Sequence, residues 1–214
     1  PSFCSRRTRK QHALCKEVHS EFVELVKRSM DLPIVDLPPQ HKILLLDRLE
    51  ERRIENSDQV LHALEELGSR HGFSVKRVFF ETLPYEEQER EVSDSSIIIG
   101  VHGAGLTHEL WLPSKAAAIV LYPHGCVNMV YNTIPRMLGM HNEAFFCDPE
   151  DSIFPQPETL ENLKKQGWPD NQLLRKNLGV CHAWVREADL RVKVERLEEM
   201  VLNVMQKIQS NKPV

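Results

Sequence analysis

The chain has 214 residues, 41% of them hydrophobic and 27% charged, with a formal net charge of -4 at pH 7. That length and apolar content suffice for one α/β core with extra segments and exclude a disordered chain. The mild acidity argues against a nucleic-acid-binding protein as a whole, no apolar run reaches membrane-spanning length, and no signal peptide precedes the first helix. Arg6, Arg7, Arg9 and Lys10 make the start locally basic, which reads as a solvated tail. Because the sequence opens at Pro1 without Met, we expect a piece of a longer protein, with any targeting or anchoring segment upstream.

In chain order, Val18, Phe22, Leu25, Val26 and Met30 recur at helical spacing, which predicts an amphipathic helix from Glu17 to Met30, stopped by Asp31-Leu32-Pro33. Pro33, Pro38 and Pro39 make the next stretch extended, so residues 1–40 read as a helix and linker and residues 41–214 as the main domain. Ile43-Leu44-Leu45-Leu46 is a short, solid apolar run, the pattern of a strand buried on both faces of a parallel sheet. Asp47, Arg48, Glu50, Glu51, Arg52 and Arg53 follow at the carboxyl edge, where open parallel sheets bind ligands. Guanidinium groups there suit bidentate clamping of phosphate, and a solvated run of internal ion pairs is the competing reading. Asn56 with Gln59 resembles a capping box, and Val60, Leu61, Leu64 and Leu67 mark a helix ending at Gly68 or Gly72. Phe73 to Phe80 reads as a strand, and Pro84 to Asp94 as a short charged helix.

The segment from Ser95 to Leu112 carries the most chemistry. Ile97 to Val101 predicts another buried strand that stops at His102. Gly103-Ala104-Gly105 is expected to take positive φ and to approach a bound group closely, before Leu106 and Leu110 restart at helical spacing. Strand, glycine loop and helix make a phosphate-binding arrangement, whose helix-start amides favour an anion without a lysine. His102, Gly103, Ala104, Gly105, Leu106 and Thr107 are therefore candidate binding residues beside Arg48, Arg52 and Arg53. A tight strand-to-helix turn with no ligand is the alternative. The surroundings disfavour three enzyme signatures. His108 replaces the third glycine of a dinucleotide fingerprint, no Gly-x-Ser-x-Gly elbow accompanies the loop, and Leu112 stands where a zinc-protease helix needs its second histidine.

Ala117 to Tyr122 predicts a strand, Cys126 to Thr133 a helix interrupted near Pro135, and Ala144 to Cys147 a last short strand. Repeated βα units of this length imply a Rossmann-like α/β fold: a parallel sheet with right-handed crossovers and helices on both faces. After Asp148 the pattern breaks at Phe154-Pro155-Gln156-Pro157 and Gly167-Trp168-Pro169-Asp170, an excursion expected to be ordered beside the site. Leu197, Val201, Val204 and Ile208 then define a final amphipathic helix. Cys4, Cys15, Cys126, Cys147 and Cys181 lack zinc-site spacing and read as buried thiols; in an oxidising compartment Cys147 with Cys126 or Cys181 is the first pair to test.

Gly100-Val-His-Gly-Ala-Gly-Leu-Thr-His-Glu-Leu-Trp-Leu-Pro113 resembles the signature of glycosyltransferase family 61. The flanking order fits: the Ile-Leu-Leu-Leu-Asp-Arg strand, the Arg52-Arg53-Ile54-Glu55-Asn56 turn, the Tyr85-Glu-Glu-Gln88 helix and Ala117 to Tyr122. From His41 to Ile208 the resemblance implies the C-terminal, donor-binding half of a two-domain GT-B fold, entered through Phe22 to Met30. It further implies inverting sugar transfer, with UDP-GlcNAc the expected donor and a protein or glycan hydroxyl the acceptor. The implied compartment is the secretory-pathway lumen, endoplasmic reticulum or Golgi. Asp148-Pro149-Glu150-Asp151 is one residue too long for Asp-x-Asp, so no metal cofactor is expected and arginines with the helix dipole take its place. His102 and Glu81 are candidate catalytic bases, with a base in the other half of the two-domain fold as the alternative and a packing role as the competing reading of His102. Asp47 stands where the family usually has Ser or Thr, and is expected to repel a phosphate or to pair with Arg52. An inactive homologue that binds nucleotide sugar without transferring it is the alternative function.

Overall fold

Solid β-branched and leucine runs form the centre of the sheet because both of its faces are covered. The computed structural model describes residues 9–38, 40–125, 130–154, 156–165, 167–169 and 187–210. Strands β1 (His41–Asp47), β2 (Phe73–Phe79), β3 (Ile97–Val101), β4 (Ala117–Tyr122) and β5 (His141–Phe146) lie in the order β2-β1-β3-β4-β5, every neighbouring pair parallel. This is the expected Rossmann-like α/β sheet.

Alternation splits the core into two layers. Ile43, Leu45, Ile97, Ile99, Ile119 and Leu121 pack with Val60, Leu64 and Leu67 of helix α2 (Ser57–His71) and with Leu197, Val201 and Val204 of the final helix, Val194–Gln209. On the other face Leu44, Leu46, Ile98, Ala118 and Val120 pack with Val92 of helix α3 (Tyr85–Ser93) and Leu106 of a 3-10 helix, Ala104–Trp111. Each fully buried Ile or Leu contributes about 2 kcal/mol, so these two layers fix the strand ends that carry the polar turns.

The sheet order reverses between β1 and β3. From β1 the chain runs outward through α2 to β2, then returns past β1 through α3 to reach β3. Connections leaving in opposite directions open a crevice at the carboxyl ends of those two strands. Leu46 is paired with Gly100, so the turns that follow Asp47 and Val101 leave the sheet side by side.

Elsewhere the structure differs from the sequence expectations for identifiable reasons. Helix α1 (Arg9–Ser29) begins earlier than expected and buries Val23 and Lys27, leaving Phe22 64% and Leu25 66% exposed. Its anchor is polar: Lys27 Nζ donates to the Leu112 carbonyl at 2.7 Å, and burial lowers that ammonium's pKa to about 8. Asn56 stands at the N-cap of α2, but its side chain makes no capping bond. Its side-chain amide instead pairs with the Val192 backbone, through Nδ2 to the carbonyl at 2.8 Å and Oδ1 from the N–H at 2.8 Å. Helix α4 (Val130–Leu138) runs through Pro135 rather than breaking there; residues 126–129 lie outside the described residues. Strand β5 starts at His141, ahead of the apolar run, because an edge strand tolerates polar residues.

The excursion contributes β6 (Ser152–Ile153), helix α5 (Pro157–Lys165) and β7 (Asp189–Leu190), with β6 and β7 antiparallel, before α6 (Val194–Gln209) closes the fold. Cys147 is a buried free thiol whose pKa is pushed up to about 12 by burial; Cys4, Cys126 and Cys181 lie outside the described residues.

Candidate functional site

The turn after β1 is built on carboxylates. Asp47 is buried at the strand end and accepts from the Arg48 N–H at 2.8 Å, the Ile54 N–H at 3.3 Å and the Ser57 hydroxyl. The Arg53 N–H donates to Asp189 Oδ1 at 2.8 Å. Between these tethers Arg52 adopts φ 60°, a left-handed conformation that costs a non-glycine residue about 1–2 kcal/mol. That kink sends neighbouring arginines in opposite directions. Arg52 Nη1 reaches the His102 carbonyl at 3.4 Å, whereas Arg53 pairs with Asp189 Oδ2 through Nη2 at 2.9 Å and Nε at 3.3 Å, and with Glu55 at 3.0 Å. Asp47 therefore faces into the turn's own amides, a better-satisfied position than facing a phosphate.

The loop after β3 is built on apolar contacts and missing side chains. His102 N–H donates to the Leu121 carbonyl at 3.0 Å, holding the strand end against β4. Neither loop glycine is left-handed, which corrects the expected positive φ: Gly103 is extended at φ 162°, and Gly105 is not among the positive-φ residues. What Gly103 supplies is room. A Cβ there would lie 2.9 Å from Arg52 Nη1 and 3.2 Å from Arg48 Nη1, so both guanidinium groups rest against bare backbone. A Cβ on Gly105 would instead meet apolar side chains, Leu46 Cδ2 at 3.1 Å and Phe80 Cδ2 at 3.5 Å. Leu106 is buried, its Cδ2 seated 3.3 Å from where Gly100 lacks a Cβ, and its N–H closes the first turn on the Gly103 carbonyl at 3.0 Å. The Ala104 and Gly105 amides precede that first closed turn, as helix-start donors do. Thr107 Oγ1 donates to the Ala104 carbonyl at 2.7 Å and so stabilises the same turn.

The structure thus brings Arg48, Arg52 and the Gly103–Thr107 loop together and turns Arg53 away. Of the candidate bases, Glu81 sits on a 3-10 turn (Phe80–Thr82) and pairs with Arg48 Nε at 3.2 Å, its side chain 38% exposed. His102 is 2% exposed and stacks on Tyr122, with ring centroids 5.5 Å apart. Asp189 was missed by sequence reasoning, since it lies 136 positions from Arg53 and nothing local marks it.

Two further acidic features adjoin the sheet edge. Asp148, Glu150 and Asp151 hold ligand atoms within 4.8 Å of one another, but the Lys193 ammonium already lies 2.6, 3.6 and 3.5 Å from them. Glu109, on the 3-10 helix, is fully buried, and neither carboxyl oxygen has a hydrogen-bond partner among the described residues. Desolvation raises its pKa to about 9, so it carries its proton at neutral pH.

The sequence profile of the family described as Glycosyltransferase 61 matches residues 2–120, which include both turns. The chain belongs to glycosyltransferase family 61. It is 34% identical over 140 residues to the EGF domain-specific O-linked N-acetylglucosamine transferase of Drosophila melanogaster, covering 64% of this chain and 25% of that protein. The proteins of the same name from Xenopus laevis and Mus musculus are 35% and 36% identical over 116 residues, covering 53% of this chain and 21% of each relative. This family 61 chain therefore matches a quarter or less of the length of these relatives. Asp189 lies beyond the family match.

Proposed function

We propose that the chain binds a nucleotide-sugar donor, UDP-GlcNAc foremost, by its diphosphate in the β1/β3 crevice. In this reading it is the donor-binding half of an inverting GT-B glycosyltransferase that modifies a protein or glycan hydroxyl in the secretory-pathway lumen. One observation carries it: the Nη1 atoms of Arg48 and Arg52 converge on the bare backbone of Gly103 at the point where the sheet order reverses. As the sugar leaves, negative charge grows on the departing nucleoside diphosphate, and fixed guanidinium groups with helix-start amides stabilise it without reorganising. Arg48 and Arg52 are the clamps in this scheme, while Arg53 holds the turn. Family membership and the names of the relatives support a sugar nucleotide over other phosphate ligands.

The acceptor hydroxyl also needs a base. Glu81 is the better placed of the two candidates, because it lies at the solvent edge and needs only to exchange its contact with Arg48. His102 then serves chiefly as the packed floor of the loop. That same Glu81–Arg48 pair favours a second reading, a nucleotide-sugar-binding homologue that transfers nothing.

Titration calorimetry of UDP and UDP-GlcNAc in the presence of a chelator tests the proposal, with one-to-one binding expected. Binding only with Mn²⁺, or a preference for NAD, overturns it. Offering UDP-GlcNAc with EGF-like domains, O-mannosyl peptides and free glycans to the longest available form of the protein separates the transferase from the inactive homologue.

A further inference from the structure

We propose that Asp189 is a positioning residue for the donor site, acting through the backbone turn that presents Arg52; the inference rests on the nucleotide-binding reading above. Asp189 is buried, and among the described residues its carboxylate is engaged by Arg53, accepting from the backbone N–H at 2.8 Å, Nη2 at 2.9 Å and Nε at 3.3 Å. It is the first step of a ladder. The Leu190 N–H donates to the Arg53 carbonyl at 2.8 Å, the Glu55 N–H donates to the Leu190 carbonyl at 2.8 Å, and Asn56 clasps the Val192 backbone through both atoms of its amide.

The ladder matters because of where Arg52 sits in it. Asp47 ties down the amides of residues 48 and 54, Asp189 ties down the amide of residue 53, and the strained Arg52 lies between them. Without Asp189 the left-handed kink loses its hold on the Arg53 amide, the anchor nearest to Arg52 on that side, and the turn can relax so that Arg52 no longer rests against Gly103. The connection extends further. Asp189 pairs with Ile153 in the β6–β7 ladder, and the neighbouring Ser152 Oγ accepts the His124 N–H at 2.8 Å. Both ends of the excursion that leaves at Ile153 and returns at Asp189 are therefore joined to the turn that aims Arg52.

The test is a double-mutant cycle read by UDP titration, with far-UV circular dichroism and thermal unfolding run on each protein. Asp189→Ala is expected to weaken UDP binding about tenfold, and Asp189→Asn about threefold, because an amide oxygen still accepts the Arg53 N–H. In an Arg52→Ala background Asp189→Asn is expected to cost less than about twofold, the signature of a residue acting through Arg52. Folded Asp189 variants that bind UDP as the wild type does would overturn the inference, as would an equal loss with and without Arg52, which marks a general effect on the fold. Should Asp189→Ala fail to fold, the Asn variant and its cycle decide. A wild-type chain that does not bind UDP removes the donor-site reading itself, and this inference with it.

Discussion

The turn after β1 and the loop after β3 leave the same edge of the sheet, yet opposite kinds of force hold them. In the β1 turn the buried acids are fully engaged: Asp47 and Asp189 are satisfied by amides, a hydroxyl and a guanidinium, and they hold Arg52 in a strained conformation. In the β3 loop the shape comes from Leu106 packed over Gly100, and the buried acid, Glu109, has no hydrogen-bond partner among the described residues. A polar turn supplies aimed charge, and an apolar loop supplies a rigid wall for that charge to rest on. The proposed donor site lies where the two meet, at Gly103.

The largest effect is therefore expected where wall and charge touch. Gly103→Val would push both arginines off the loop and should weaken UDP binding by at least about a thousandfold, or ~4 kcal/mol, with the fold intact. A natively folded variant with ordinary UDP affinity would show that the two turns do not share a ligand.

Next in size is the pH response of the apolar side. Glu109 keeps its proton to about pH 9 when folded, against an ordinary value of 4.5. The native state thus binds more protons than the unfolded state between those values, so stability falls as pH rises from about 4.5 to about 9 and levels off beyond. At pH 7 the loss is roughly 3 kcal/mol relative to the acid side. Glu109→Gln should flatten that slope in denaturant unfolding at pH 5 and pH 8. Parallel profiles for the two proteins would mean that Glu109 is ionised and partnered.

Arg53→Ala probes the polar side, and its cost should be about 1 kcal/mol, shrinking as salt is added, since the guanidinium end of its pair with buried Asp189 is half exposed and screened there. A salt-independent loss would place Arg53 in the apolar scheme instead. The smallest effect is expected from Gly105→Ala: within about 0.5 kcal/mol in stability and about twofold in UDP affinity, because its Cβ would face Leu46 and Phe80 rather than a guanidinium group, and Leu46 Cδ2 at 3.1 Å need shift by only a few tenths of an ångström. Abolished binding in that variant would restore to Gly105 the special role that the structure gives to Gly103.

The same contrast explains what could be read from the sequence. Ile97–Val101 and Ala117–Tyr122 were found at both ends, because strands covered on both faces must be continuously apolar. The glycine loop and the Arg48–Arg53 run were recognisable, since local spacing and composition carry them. What the arginines do was not, because the choice between Arg52 and Arg53 is made by Asp189, far along the chain. Glycine's role was misassigned for a related reason: torsion can be guessed from neighbours in sequence, whereas the crowding of Gly103 by two guanidinium groups is a tertiary fact. The exposed Phe22 and Leu25 likewise follow from how α1 docks through Lys27, which periodicity alone does not encode.

Whether the crevice between β1 and β3 seats the diphosphate of the donor is decided by a crystal structure of the chain with UDP. Phosphate oxygens are expected within hydrogen-bond reach of Arg48 and Arg52 and of the amides that follow Gly103, with Arg53 still paired to Asp189. UDP bound instead in the groove between β5 and α6, lined by Glu143, Arg196 and Lys207, would contradict that placement.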